Sequence, residues 1–432
     1  MVSLWFKKDI YKSIFKLLII IILFFFVSMP IITNLELQSF HIDENYWIYF
    51  GKVFKPLFID KGIHNLEIQN YRDPPLIKYL FGFIAYSISG KDGFERLMAK
   101  PWWNDSKDAD ADMDKIKRPP KEVLYFSRLA IALFGIFTCL LIYLIGKTVF
   151  GVLTGTASAL ILAYNPLMLT SGRRAMSDMP SVFFMAASIV VIIIFYRHLM
   201  AHRFVKVLIY SLLIGFCIAF AAGTKLSGGL SMIIFALFCV AAGIIESIQN
   251  GFSQRFKIIL TSLLISAAVS FSLFVAINPA LYNNPIRRVA GIIEANAQMS
   301  SYQQQFFSSN ALISFKDKFI SVFRKVLLPP NYVTLGNIFK IPLDLMFFVF
   351  GFLMLIYNEI TGYRKNRVLS DRFIIITWVV VVFCGIIYWI PLDWDRYYLS
   401  LIPCIAIIIG YCLGEIINLG KKVGRNIWIR FQ

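Results

Sequence analysis

Two adjacent carboxylates, Asp43 and Glu44, stand in the stretch His41-Ile42-Asp43-Glu44-Asn45-Tyr46-Trp47. A carboxylate in an apolar, aromatic setting can have its basicity tuned and can act as a general base, and neighbouring carboxylates can hold a divalent cation. Asp43 and Glu44 are therefore a catalytic or metal-binding pair, with metal dependence left open. Further along, cations recur in short polar stretches. They are Arg72 and Lys78 in Tyr71-Arg72-Asp73-Pro74-Pro75-Leu76-Ile77-Lys78, Arg128, Arg173 and Arg174 ahead of Asp178, Lys225 in Gly223-Thr224-Lys225, and Arg396 beside Tyr397. A base accompanied by arginines and lysines suits proton removal from an acceptor next to a bound phosphate. Taken singly, each stretch reads equally well as a solvated loop or as snorkelling cations.

The elements that must position these residues follow from composition. The chain has 432 residues, 58% hydrophobic and 16% charged. A soluble domain has roughly a quarter of its residues charged. The apolar residues form runs long enough to cross a bilayer, which predicts an all-α polytopic membrane protein with about ten transmembrane helices. The runs are Leu17 to Ile32 and residues 123–145, 152–170, 181–197, 204–222, 226–245, 257–277, 342–358, 373–391 and 397–418. The first follows Lys7, Lys8, Lys12 and Lys16 and reads as an uncleaved anchor. With alternating crossings the short loops on one side carry Lys147, Arg197, Arg203, Lys206, Arg255, Lys257, Arg364, Lys365, Arg367 and Arg372. Positive residues mark the cytoplasmic side, so both termini are expected there and the polar stretches above on the extracytoplasmic side. This asymmetry also accounts for the net charge of +18 without nucleic acid.

The chain thus divides into an N-terminal tail and first span (1–34), a first outer loop (35–122) and a transmembrane core (123–277). A second outer loop (278–341) and C-terminal spans with a tail (342–432) complete it. In the first loop, Leu76 to Ser89 is too short to span and is expected to lie at the interface. In the second, Ile286, Val289, Ile292 and Ile293 have helical spacing and predict a surface helix capping a cavity. The six cysteines all fall in apolar runs and read as small hydrophobes. The acidic run Asp105 to Asp114 resembles a calcium loop, but counting from Asp108 it has Met113 at position 6 and Pro119 at position 12, so it fails that pattern.

In these residues the chain resembles the polytopic glycosyltransferases of GT-C type that use polyprenyl-phosphate sugars, a group that includes protein O-mannosyltransferases and aminoarabinose transferases. The shared features are the acidic pair Asp43-Glu44, the Pro74-Pro75 turn into an interfacial helix, Arg128 at a span start, Arg173 to Asp178, Gly223-Thr224-Lys225 and Arg396-Tyr397. Their order and spacing match from about residue 15 to 415. Mannosyltransferases of this type carry His before the paired prolines, where this chain has Asp73, so the acceptor stays open among lipid, glycan and protein. The resemblance implies inverting transfer from a polyprenyl-phosphate sugar. Asp43 would be the base and Asp178 an orienting acid. Tyr71, Arg72, Asp73, Lys78, Arg128, Arg174, Lys225, Arg396 and Tyr397 would hold lipid phosphate and sugar. It also implies a prokaryotic plasma membrane, or the endoplasmic reticulum in a eukaryote. A lipid or sugar transporter would instead need polar groups near the bilayer midplane, where these spans are apolar. A non-catalytic subunit of an envelope assembly would need no acidic pair.

Overall fold

The computed structural model describes residues 18–60, 62, 73–99, 118–328 and 342–430, with side chains as far as Lys421. Its helices, in chain order, are α1 (Leu18–Ile32), α2 (Ile42–Tyr49), α3 (Leu76–Met98), α4 (Lys121–Val149), α5 (Val152–Ala163) and α6 (Pro166–Gly172). They continue with α7 (Asp178–Met200), α8 (Phe204–Thr224), α9 (Leu230–Asn250), α10 (Gln254–Ala276), α11 (Pro285–Phe306) and α12 (Phe315–Val326). The last three are α13 (Leu343–Asn366), α14 (Asp371–Trp389) and α15 (Ile402–Arg430). Among the described residues no strand forms beyond one bridge, Ala311 with Leu392.

Eight helices among the described residues are long and apolar enough to cross a bilayer: α4, α7, α8, α9, α10, α13, α14 and α15. The run expected as a single span over 152–170 is broken by 64° between α5 and α6. The cause is local. Pro166 has no N–H to continue the hydrogen-bond ladder, and Asn165 Oδ1 instead accepts from the N–H groups of Leu167 and Met168, starting a new helix. With this broken pair and the shorter apolar helix α1, ten apolar units match the ten runs of the sequence. The piece expected to end at Ser89 extends to Met98, with Gly90 at φ 65° marking a break inside α3.

Packing is set by which helix faces are buried. α7 lies between α4 and α8, α8 also packs on α10, and α15 packs on α5 and α13. Rings fill the centre: Phe195 of α7 meets Phe235 of α9 at 5.4 Å, and Tyr196 meets Phe238 at 5.3 Å. Small residues allow the closest approaches, as in membrane helices generally. The basic loops gather at one end of the bundle, where Arg197 binds Asp371 at 2.5 Å and Gln249 reaches the Arg367 carbonyl at 2.5 Å. The opposite end carries α2, α3, the α6–α7 turn and residues 391–398.

One close approach positions that end. The turn after α2 touches α3 backbone to backbone at Gly51 and Gly82, and a Cβ added to Gly82 would lie 2.2 Å from the Gly51 carbonyl oxygen. Gly82→Val should therefore lower stability by about 1–3 kcal/mol. Gly291→Ala, where an added Cβ meets nothing within 4 Å, should leave stability within about 1 kcal/mol. Thermal unfolding of the two variants in detergent checks this contrast.

Candidate active site

The site starts from the first turn of α2. His41 precedes the helix in extended conformation, and its Nδ1 accepts from the Asp43 N–H at 3.2 Å. In return the His41 N–H donates to Glu44 Oε2 at 3.0 Å. This reciprocal cap satisfies orphan donors of the helix start and fixes where the two acids project. Burial, and then the nearby guanidiniums of Arg174 and Arg396, push the His41 pKa down to about 4. The ring is neutral at ordinary pH, as its accepting nitrogen requires.

Glu44 points inward and is fully buried. Arg128 of α4 grips it with two bonds, Nε to Oε1 and Nη2 to Oε2, both 2.8 Å. The remaining Arg128 nitrogen donates to the carbonyls of Leu35 at 3.1 Å and Gln38 at 2.9 Å. The Ala175 N–H, from the α6–α7 turn, donates to Glu44 Oε1 at 2.9 Å. Arg173 closes the same corner by donating to the carbonyls of Pro30 and Ile31 at the end of α1. A charge buried this deeply is tolerated only because every oxygen and nitrogen of the pair is engaged.

Asp43, 30% exposed, turns the other way and forms an ion pair with Arg396. The Arg396 guanidinium lies over Trp394 at 4.8 Å and Tyr397 at 5.4 Å, which orients it. Asp178, at the start of α7, pairs with Lys225 at 2.5 Å, and Lys225 Nζ lies 5.6 Å from the Tyr397 ring. Burial works against the Lys225 charge, yet Asp178 outweighs it and the net shift is upward. Arg174 forms no ion pair among the described residues. It reaches Ser39 Oγ at 3.4 Å, and its buried Nε has no hydrogen-bond partner among the described residues. Beside these, the Tyr46 hydroxyl donates to Asp73 at 2.5 Å. Lys78 is fully buried, donates to the Asp73 carbonyl at 3.2 Å and lies over the rings of Tyr46, Trp47 and Phe50.

The structure therefore brings Asp43, Asp178, Lys225, Arg174, Arg396 and Tyr397 to one face, with Asp73 and Lys78 beside it. Tyr71 and Arg72 lie outside the described residues, as does the acidic run 105–114. Two expectations change. Glu44 stands apart from Asp43, because its carboxylate is sealed into the helix junction, and Arg128 has spent its donors on Glu44 and two carbonyls. The two carboxylates expected to share a cation face different arginines in this structure, Glu44 toward Arg128 and Asp43 toward Arg396. Among the described residues no group of three or more His, Cys, Asp and Glu side chains is gathered to hold a metal. Sequence reasoning missed the cap by His41, although the spacing His41-x-x-Glu44 follows the capping-box pattern. It also missed Trp394 as the platform under Arg396, which has no local signature.

Residues 64–281 match the family model described as dolichyl-phosphate-mannose-protein mannosyltransferase. The chain belongs to this family. The fold is of GT-C type. Among solved structures it is similar to the oligosaccharyltransferase AglB of Archaeoglobus fulgidus in complex with an inhibitory peptide and a dolichol-phosphate. That match has 14% identity and a TM-score of 0.54, over 93% of this chain and 50% of the other. It is also similar to ArnT of Cupriavidus metallidurans bound to undecaprenyl phosphate, with 14% identity and a TM-score of 0.50, over 91% of this chain and 60% of the other. The chain thus spans about half the length of the archaeal structure. No curated protein matches it.

Two outcomes follow from this geometry. Glu44→Ala leaves Arg128 buried and unpaired, which should cost about 3–5 kcal/mol and show as loss of folded protein in detergent. For His41, the folded pKa of about 4 lies below the ordinary 6.5. Between those values the unfolded chain binds more protons, so stability should fall as pH drops from about 6.5 toward 4 and stay level above that range. His41→Asn keeps a capping oxygen and should flatten that pH slope in thermal unfolding.

Proposed function

We propose that this protein is a membrane glycosyltransferase. It moves a sugar from a polyprenyl-phosphate donor to an acceptor on the extracytoplasmic side of the membrane, with inversion at the anomeric carbon. The observation that carries this reading is the ion pair of Asp43 with Arg396, set beside the Asp178–Lys225 pair and Arg174, which forms no ion pair among the described residues. It sets one partly exposed carboxylate against Arg396, with Lys225 and Arg174 at the same end of the bundle and all three cations drawn from segments far apart in the chain. Membership of a lipid-phosphate sugar transferase family supports the same chemistry.

In the proposed step the acceptor hydroxyl or amine attacks the anomeric carbon opposite the phosphate. Its proton passes to the Asp43 carboxylate. The bond between the anomeric carbon and the phosphate oxygen breaks, and its electron pair leaves on the lipid phosphate. That oxygen gains negative charge, which Arg396, Arg174 and Lys225 are placed to stabilise. Arg396 has a double use. Before donor binding it neutralises Asp43, and when the phosphate arrives it has a stronger anionic partner to engage, which releases the carboxylate toward the acceptor. Asp178 fixes Lys225. Glu44 and Arg128 act as positioning residues, holding α2 so that Asp43 faces the site. Asp73, held by Tyr46, and the buried Lys78 support the donor side.

In this reading the enzyme sits in a prokaryotic plasma membrane, or in the endoplasmic reticulum of a eukaryote, with the basic end of the bundle and both termini cytoplasmic. Its donor enters from the bilayer and its acceptor from the aqueous phase. The experiment offers purified protein in vesicles a panel of radiolabelled polyprenyl-phosphate sugars. Wild type should release free lipid phosphate from at least one. Asp43→Asn should be slower by about 10²–10⁴-fold, the contribution expected of a general base, while still binding that donor. Equal turnover by wild type and variant would contradict the proposal.

A further inference from the structure

Between Glu294 and Lys316 the chain carries no charged residue. Within that neutral stretch begins an unbroken succession of aromatic rings. Tyr302 and Phe306, one turn apart on α11, stack at 5.9 Å and 20°. Phe306 meets Phe307 at 4.9 Å, Phe307 meets Trp394 at 5.1 Å, and Trp394 lies parallel to Tyr397 at 6.0 Å and 7°. The outer two rings are 57% and 51% exposed, while the inner three are half-buried. The inner end is the site already described, since Arg396 lies over Trp394 and Tyr397 and binds Asp43. A strip of π faces thus runs from solvent to the proposed base.

Packing explains the inner rings, which pin the α11–α12 connection to residues 391–398. Backbone bonds reinforce that seam, from the Leu312 N–H to the Pro391 carbonyl at 2.9 Å and from the Asp393 N–H to the Asn310 carbonyl at 2.8 Å. Packing does not explain the outer pair, which leaves half its surface uncovered. A lipid-facing helix also looks different here. On α12 the exposed apolar side chains are Phe315, Phe319 and Ile320, accompanied by the charged Lys316, Asp317, Lys318 and Arg324, as an interfacial helix requires. The outer rings of the strip, which lie on the uncharged stretch, are fringed instead by neutral donors and acceptors. Gln303 Oε1 lies 3.4 Å from the Tyr397 hydroxyl, and Gln305, Ser308 and Ser309 are exposed beside it. Aromatic faces that take up C–H surface, next to carboxamides that pair with hydroxyls, suit a ligand with both features and no charge.

Resting on the proposed function, we infer that this strip is an acceptor subsite and that the acceptor is a neutral saccharide. A sugar ring presents a C–H face to the aromatic platform and hydroxyls to the carboxamides. The strip delivers the terminal hydroxyl beside Asp43, where its oxygen bonds to the donor's anomeric carbon and its proton goes to the carboxylate.

The test uses the full chain in lipid nanodiscs. Tryptophan fluorescence is followed on titration with mannohexaose, maltohexaose and chitohexaose, and in parallel with a Ser/Thr-rich peptide and with farnesyl phosphate. At least one hexaose should bind at millimolar concentration or tighter. In Tyr302→Ala/Phe306→Ala its affinity should fall 10-fold or more, and its KM as acceptor should rise by a similar factor. Both substitutions lie on exposed positions of α11, and a thermal unfolding curve matching that of wild type verifies folding. Absence of binding by all three hexaoses, or equal affinity in wild type and the double variant, overturns the inference. So does an effect of the double variant on the peptide or on farnesyl phosphate alone. Donor cleavage by the wild type without acceptor reads the proposed function separately. Cleavage with no saccharide binding sinks the subsite and leaves the transferase standing, whereas saccharide binding with no cleavage of any donor sinks the transferase.

Discussion

The arrangement of this molecule depends on one buried ion pair, Glu44 with Arg128. Neither side chain reaches water, and the cost of removing both charges from it is offset only by complete hydrogen bonding. The pair joins four parts of the chain: the segment before α2, α2 itself, α4 and the α6–α7 turn through the Ala175 N–H. Because Asp43 is the preceding residue on the same helical turn, about 100° round the axis, fixing Glu44 inward turns Asp43 toward a different side. The adjacent acids are therefore a division of labour, with one carboxylate holding the scaffold and the other left partly exposed.

Around that anchor, the exposed carboxylate is surrounded by groups drawn from distant parts of the sequence. Arg396 comes from the far end of the chain and is oriented by the rings of Trp394 and Tyr397. The segment that bears it is itself tethered, with Asp393 bound by Ser321, Arg324 and Tyr398, and Asp395 bound by Lys325 at 2.8 Å. The second outer loop and the candidate site are thus coupled through one short stretch. A shift of α12 would be felt by Arg396, and through it by Asp43.

Much of this was legible in the sequence for physical reasons. Apolar runs are obligatory in a bilayer, so the bundle could be read from them, and cations away from the basic side were informative because membrane topology disfavours them there. Six motifs separated by tens to hundreds of residues converge on one end. The pairing among them was not legible. Nothing local shows that Arg128 belongs to Glu44 while Arg396 belongs to Asp43, because ion-pair choice is decided by tertiary packing. The broken span at Asn165-Pro166 carried a local signal, since an Asn-Pro step is a standard helix start. The run of aliphatic residues around it concealed that signal. The aromatic strip had no signal at all, being assembled from two segments about 90 residues apart.

The most direct test of the account is a structure of the protein with a polyprenyl phosphate bound in nanodiscs. The account predicts the phosphate within hydrogen-bond distance of Arg396 and Arg174, with Arg396 withdrawn from Asp43 and the Asp43 carboxylate facing the open side of the site. A phosphate held at the basic end of the bundle, or one bound while the Asp43–Arg396 pair stays closed and Glu44 leaves Arg128, would contradict it.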